Sequence, residues 1–263
     1  MSRTIIKILT AADLHRLRSL YSGLSEAVSR EKPDVLALVG DFLDFCGTTE
    51  PQLTNAEAAL SLAALEVREI IFVRGNHEDF AWFEFQDAWA TTGRRLVALH
   101  GEAFTVGPMT MIGFPCLMGD ETAFVGERGP LPANPSSWLS RLLERHGPSI
   151  RTLWLMHEPP SGTPLSQPNS PVAGNTQWRR AIERFRPILT ISGHDHQTPI
   201  RYGKWHHRIG STTCVNVGQT ESGPLHYCVV EAEFSGDAPG LPTQVTVTAH
   251  PRNETLEVYP SAS

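Results

Sequence analysis

The sequence predicts an α/β fold, a parallel sheet whose strands are joined by crossover helices, and two observations carry that reading. Between Thr4 and His100, apolar runs of strand length alternate with helical stretches in the order β-α-β-α-β-α-β. Within them, Val35-Leu36-Ala37-Leu38-Val39 is apolar without a break, as a parallel strand buried on both faces would be. A third observation bears on function. The run stops at Gly40-Asp41, which puts a carboxylate at the C-terminal edge of the strand, where open α/β sheets hold their ligands.

The first strand covers residues 4–11 and leads into Asp13-Leu14-His15. Leu17, Leu20, Tyr21, Leu24 and Val28 then recur at helical spacing through about Arg30, and Pro33 stops that helix ahead of the strand at 35–39. The Ala- and Leu-rich stretch 53–68 reads as a helix. A short strand at 70–73 is closed by Arg74-Gly75-Asn76-His77-Glu78-Asp79. The next helix carries Phe80, Trp82, Phe83, Phe85 and Trp89, large side chains expected in the core.

After His100 the pattern changes. Residues 104–106 and 109–114 flank Gly107-Pro108 as a hairpin, and 115–135 is a Gly- and Pro-containing loop long enough to border a site. Ser136-Ser137 suggests the cap of a helix running to Arg145. A strand at 152–156 ends at His157, and a second long loop, 158–171, carries prolines at 159, 160, 164, 168 and 171. A helix at 177–185 leads to a strand at 188–191 that closes in Ser192-Gly193-His194-Asp195-His196. The segments 199–202, 205–209, 212–217, 226–234 and 243–248 read as short strands completing the same domain in antiparallel fashion. We divide the chain into a domain at 1–235 and an extension at 236–263, expected to form an edge hairpin.

Composition narrows the function classes. Hydrophobic content of 40% and charged content of 19% are ordinary for a soluble globular protein. A net charge of −6 argues against an extended nucleic-acid grip, which needs clustered Lys and Arg. A small phosphorylated substrate is compatible with that charge, because metal ions can supply local positive potential. No apolar run is long enough to span a membrane, and the apolar part of the N-terminus is too short for a signal peptide, so a cytoplasmic protein without a membrane partner is expected. Cys46, Cys116, Cys214 and Cys228 have no CxxC spacing and read as scattered thiols rather than structural zinc ligands.

Asp, His and Asn cluster at or just beyond five strand ends: Asp13 with His15, Asp41, Asn76 with His77, His157, and His194 with His196. Any one of these alone is ordinary turn or capping chemistry. Together they are the carboxylate, carboxamide and imidazole set that divalent metals take, and one carboxylate can bridge two ions. Asp-x-His and His-x-His spacing also keeps both side chains on one side of an extended backbone.

Asp13-Leu14-His15, Gly40-Asp41-Phe42-Leu43-Asp44, Gly75-Asn76-His77-Glu78, His157 and Gly193-His194-Asp195-His196 resemble the ordered motifs of the calcineurin-like metallophosphoesterases. Asn216-Val217-Gly218-Gln219 resembles the segment that follows the last motif in many members. The resemblance implies a four-layer α/β/β/α sandwich of two mixed sheets. It implies a hydrolase with two divalent ions, Mn2+, Fe/Mn or Zn2+, and hydrolysis of a small phosphomonoester or phosphodiester by a metal-bridging hydroxide. By the same resemblance Asp13, His15 and His196 hold one ion, Asn76, His157 and His194 the other, Asp41 bridges them, and His77 is the catalytic histidine. Asp44, Glu78 and Asp79 become candidates to orient these groups. A nuclease of the same superfamily, or a metal-binding scaffold without activity, is the alternative; the acidic charge counts against the first and the complete motif set against the second.

Substrate contacts are less legible. Phe45-Cys46 stands where phosphoprotein phosphatases of this superfamily carry Arg-Gly, which argues against a protein substrate. Arg16, Arg74 and Glu158 are the charged residues next to the motifs and are therefore candidate substrate contacts, with the loops 115–135 and 158–171 as the rim. His206, His207, His226 and His250 are read as structural.

Overall fold

The computed structural model describes residues 3–43, 50–78, 82–116, 125–126, 129–130, 135–146, 151–167, 173–220, 222–235 and 241–258. Two large mixed sheets dominate it. The seven-stranded sheet runs through β15 (Glu254–Val258), β14 (Pro242–His250), β13 (Tyr227–Ser235), β1 (Arg3–Ala11), β2 (Val35–Val39), β3 (Glu69–Val73) and β4 (Leu96–Ala98). Its half from β1 to β4 is parallel, as the alternation requires, while β13 joins β1 antiparallel. The six-stranded sheet runs through β11 (His206–Ile209), β12 (Thr212–Asn216), β10 (Leu189–Ser192), β9 (Thr152–Met156), β6 (Met109–Phe114) and β5 (Ala103–Val106). Two short strands, β7 (Val125–Gly126) and β8 (Gly129–Pro130), pair with each other.

Three apolar layers hold the sheets and helices together. Leu36 and Leu38 of β2 face α1 (Arg18–Glu31), α2 (Asn55–Ala63) and α3 (Trp82–Ala90), joining Leu20, Leu24, Leu62 and Phe85 in one core. The alternate residues Val35, Ala37 and Val39 face the second sheet and pack with Leu153, Leu155, Leu189 and Ile191. The outer face of that sheet, with Ile112, Phe114 and Trp154, is covered by Leu139 and Leu142 of α4 (Pro135–His146) and by Trp178 and Ile182 of α5 (Thr176–Phe185). The order is therefore helix, sheet, sheet, helix. Period-two alternation explains why β2 reads as uniformly apolar: both of its faces are interior.

Several local expectations are corrected. The helix expected over 53–68 ends at Ala63, although Thr54 and Glu57 cap its start reciprocally. Its exit is held instead by Arg94, which donates to the carbonyls of Ala63 (2.7 Å), Leu65 (2.6 Å) and Val67. Three carbonyls on one guanidinium make a charge-assisted clamp that no local pattern at 64–68 reveals. Arg94→Ala should lower stability by about 2 kcal/mol in denaturant unfolding, because those acceptors lose a charged donor.

Phe83, expected in the core, is 76% exposed, whereas Trp82, Phe85 and Trp89 are buried. Helical spacing puts Phe83 on the opposite face from Phe85. The helix expected to be capped by Ser136-Ser137 begins at Pro135, whose fixed φ suits a first helical turn. The segment 199–202 is no strand, since Thr198–Arg201 forms a short helix, α6. β12 lies parallel to β10, so the C-terminal part is not purely antiparallel. β14 and β15 form a hairpin at the edge of the larger sheet. Among the described residues no helix is long and apolar enough to cross a membrane.

Candidate metal centre

The C-terminal ends of β1, β2, β3, β9 and β10 meet at one place, and the chain immediately beyond each end supplies the polar residues. The turns there are unusual. Asp13 (φ 55°), His15 (φ 45°), Asp41 (φ 51°) and His194 (φ 67°) are all left-handed. That region costs a non-glycine residue ~1–3 kcal/mol and persists only where the surroundings over-determine it. Here the surroundings are backbone bonds between strand ends: Asp13 N–H to Gly40 O (3.0 Å), His15 N–H to Asp41 O (2.9 Å) and Gly193 N–H to His157 O (2.9 Å).

Two glycines are required by close approach. A Cβ on Gly40 would lie 2.2 Å from His157 Nδ1, and one on Gly75 would lie 2.0 Å from Asp41 Oδ1. The Gly-Asp and Gly-Asn pairs of the sequence are thus packing statements about each other's neighbours.

The side chains converge in two groups that share one carboxylate. Asp13, His15, Asp41 and His196 form the first, and Asp41, His157 and His194 the second, with ligand atoms within 4.8 Å of one another in each. His15 Nε2 lies 3.2 Å from His196 Nε2. Asn76 Oδ1 lies 3.1 Å from both His157 Nε2 and His194 Nδ1, so it belongs with the second group. His157 Nε2 is 3.2 Å from Asp41 Oδ2 and 3.2 Å from His194 Nδ1. His157 Nδ1 donates to Val39 O at 3.0 Å, which turns Nε2 toward the cluster.

These residues fit divalent ions. Metal–ligand bonds of ~2.0–2.2 Å place neighbouring ligand atoms ~3.0–3.4 Å apart, the separations found here. The electrostatics follow from burying these groups against one another: burial opposes charge on His157, but the Asp41 and Asp13 carboxylates outweigh it and raise that imidazole to about 10. Burial, with the Asp41 carboxylate adding to it, pushes Asp13 up to about 8 against the pull of His157. Burial also opposes charge on Asp41, but the imidazoles of His157, His15 and His77 outweigh it and hold that carboxyl below its usual range. Burial and the neighbouring His157 lower His194 to about 3, and burial lowers His196 to about 4, leaving both in the neutral form that binds metals.

His77 stands beside the cluster rather than in it. Its Nε2 is 4.0 Å from Asp41 Oδ2 and its side chain is 35% exposed. The ring meets His15 edge-on at 5.2 Å, and the backbone N–H donates to Asp41 Oδ1 at 2.9 Å. It therefore has both contact with the centre and access to solvent.

Glu78 is fully buried and its carboxylate accepts from the backbone N–H groups of Asp41 (3.1 Å), Leu43 (3.2 Å) and Gly75 (2.5 Å). Burial and the nearby Asp41 carboxylate push it up to about 7. With Asp41 accepting from His77, the two acidic residues clasp the 41–43 and 75–78 turns reciprocally. Removing the acceptor leaves buried donors stranded, so Glu78→Ala should cost on the order of 3 kcal/mol in unfolding experiments. The same variant should weaken metal affinity ~10–100-fold, read by metal titration, because both ligand-bearing turns lose their fixed spacing.

The remaining expectations divide. Asp44 and Asp79 lie outside the described residues, as do Phe45 and Cys46. Arg16 is half-buried and donates to Asn55 Oδ1 (3.1 Å), whose amide donates to Glu84 (2.9 Å). It precedes α1 and is tied to α2 through Asn55. Arg74 places its guanidinium 4.5 Å from the centre of the Trp82 ring. Glu158 is a correction to the rim reading: it is 3% exposed and accepts from Asn175 Nδ2 (3.0 Å) and Trp178 Nε1 (3.4 Å). Its carboxylate anchors the loop to the start of α5, because a buried charge takes the donors nearest to it. Apart from β7, β8 and the start of α4, the loop 117–135 lies outside the described residues.

Asp195 escapes the sequence reading, where it is only the spacer between two histidines. It is fully buried and accepts from the backbone N–H groups of Gln167 (2.7 Å), Gln197 (3.0 Å) and Thr198 (2.9 Å). Two of these donors, at i+2 and i+3, make a local Asx-type turn, whereas the third comes from a segment far away in sequence that no local pattern reveals.

The family model described as calcineurin-like phosphoesterase matches residues 6–198. A search of the curated proteins returns no match. Among solved structures, a dimetal phosphatase from Danio rerio aligns over 97% of this chain and 99% of its own, with a TM-score of 0.65 and 12% identity. TT1561 of Thermus thermophilus aligns over 98% and 100%, with a TM-score of 0.60 and 14% identity. The calcineurin-like phosphoesterase YfkN from Bacillus subtilis aligns over 94% and 91%, with a TM-score of 0.57 and 12% identity. At these identities the structural likeness speaks for the fold alone.

Proposed function

Because the chain belongs to the calcineurin-like phosphoesterase family, and is thereby a phosphoester hydrolase, we propose that it is a dimetal enzyme acting on a small phosphomonoester or phosphodiester. The observation that carries this reading is the pair of ligand groups sharing Asp41. On this reading Asp13, His15 and His196 would hold one ion, Asn76, His157 and His194 would hold the other, and Asp41 would serve both. Mn2+, a mixed Fe/Mn pair or Zn2+ all suit such nitrogen and oxygen donors. When bound, two such ions neutralise charge on phosphoryl oxygens and make water acidic enough to act near neutral pH.

The residues of the chain do the rest. Asp41 keeps the two halves of the centre in register through its carboxylate and its backbone contacts with His15 and Glu78. His77, reaching solvent beside Asp41, gives its proton to the departing alkoxide as general acid. Glu78 and the His157 bond to Val39 hold the ligand turns so that little reorganises during the reaction. The net charge of −6 supports a small substrate over nucleic acid. We assign the catalytic domain to 1–235 and the extension to 236–263.

The test is turnover by protein reconstituted with Mn2+, Fe/Mn or Zn2+ on p-nitrophenyl phosphate, its bis ester and its phenylphosphonate ester. Hydrolysis of at least one is expected. Failure on all three with every metal would overturn the proposal, and cleavage of single-stranded DNA with manganese would favour the nuclease instead.

A further inference from the structure

The two large sheets end in edge strands that differ in charge. β15 closes the seven-stranded sheet on one side with Glu254 and Glu257, and β4 closes it on the other directly after Arg94 and Arg95. β11 closes the six-stranded sheet with His206, His207 and Arg208. At the far side of that sheet β5 reads Ala103-Phe104-Thr105-Val106, with no charge, no proline and no shift of register against β6. Charged side chains are a common guard against an edge pairing with another chain, and β5 lacks that guard. It also presents apolar surface. Phe104 and Val106, with Val97 of β4, pack on the core between the sheets and stay half-buried.

The hydrogen-bonding direction along β5 is fixed. Glu102 O accepts from Gly113 N–H (3.1 Å), and the pairing then runs from Ala103 with Ile112 to Val106 with Met109. Backbone groups alternate in direction along a strand, so Phe104 and Val106 turn their N–H and C=O toward β6. Those of Ala103 and Thr105 turn outward, where no strand meets them among the described residues.

We propose that β5 is an interface with a second copy of this chain: the two β5 edges pair antiparallel about a twofold axis and join the two six-stranded sheets into one. The outward groups set the register. Ala103 of each copy lies opposite Thr105 of the other, each such pair exchanging both of its backbone bonds, and the two Phe104 residues face each other at the axis. A facing pair of that kind has its Cα atoms ~4.5 Å apart, so the Phe104 rings meet and carry the apolar layer between the sheets from one copy into the next.

Charge selects this edge for self-pairing. A twofold axis doubles whatever charge a strand carries, so pairing β15 with itself would gather the glutamates at 254 and 257 of both copies, and pairing β11 would set Arg208 against His206. In β5 the nearest charge is Glu102, which would lie opposite Val106 of the other copy. It would stand about 14 Å from its twofold mate, four residues along a strand, beyond the ~8 Å screening length of physiological salt.

Sedimentation of the full chain tests the interface. Wild type should be dimeric at ~100 µM and dissociate on dilution, since a short strand pair is a small contact. Thr105→Pro deletes an outward N–H and keeps the bonds to β6, because proline is tolerated where an edge donor faces solvent. The axis makes that two lost bonds per dimer, so Kd should rise roughly thirty-fold with an unchanged circular dichroism spectrum. Thr105→Val keeps the donor and should stay within about three-fold of wild type. Should Thr105→Pro fail to fold, hydrogen exchange in the wild type decides. The Ala103 and Thr105 amides should be protected at high concentration and lose protection on dilution, while the Phe104 amide, bonded to β6, stays protected throughout. A chain that is monomeric at ~100 µM would overturn the proposal and leave the edge to a partner of another sequence. So would a dimer indifferent to Thr105→Pro, an equal loss in Thr105→Val, or Ala103 and Thr105 amides that exchange fast in the dimer. No substrate or turnover enters the measurement, so its outcome is separate from that of the proposed reaction.

Discussion

His77→Ala is expected to retain both metal ions and to lose ~10²–10⁴ of turnover, the range a positioned general acid supplies. The geometry separates the two effects. His77 lies outside both ligand groups, and its tie to Asp41 runs through the backbone N–H, which alanine keeps. Truncation therefore leaves the 41–43 and 75–78 turns clasped and takes away only the half-exposed imidazole beside Asp41. Metal content is measured directly, and kcat is followed on esters whose leaving groups differ in basicity. The loss should be greatest for the most basic leaving group, which most needs a proton. Undiminished turnover would remove His77 from the role.

Asp41→Asn should instead abolish the metal pair. The substitution is mild for the fold: asparagine tolerates the left-handed φ of 51°, and its oxygen can still accept from the His77 N–H. For cations it is severe. The one carboxylate common to both groups becomes neutral, and its amide nitrogen, when the oxygen serves His77, faces His157 Nε2 from a position 3.2 Å away. Affinity should fall by more than the ~10–100-fold typical of losing an outer partner, with turnover falling in step. Circular dichroism should stay native while metal analysis finds fewer than two ions per chain. A variant that retained both would show that Asp41 is not shared.

The alternation of strands and helices, the burial of β2 on both faces and the recurrence of polar clusters at strand ends were all legible because they rest on periodicities of two and 3.6 residues. Asp13, His15, Asp41, Asn76, His157, His194 and His196 stood out for the same reason, each sitting where an apolar run stops. Residues that act through long-range backbone contacts were not legible. Arg94 ends a helix about thirty residues upstream, and Glu158 turns inward to Asn175 and Trp178. Helix length and side-chain direction there depend on partners that no local window contains.

The layered α/β architecture and the identity of the polar residues at its strand ends are thus written in the chain itself. Hydrophobic patterning is local, and each side of every strand must find an apolar neighbour. Folding in three dimensions was needed to bring these residues into two groups with Asp41 in common, to leave His77 at the solvent side, and to bury Glu78 and Asp195 among backbone donors. A carboxylate's role follows from which N–H groups and charges surround it once water is excluded, and those come from turns far apart in the chain.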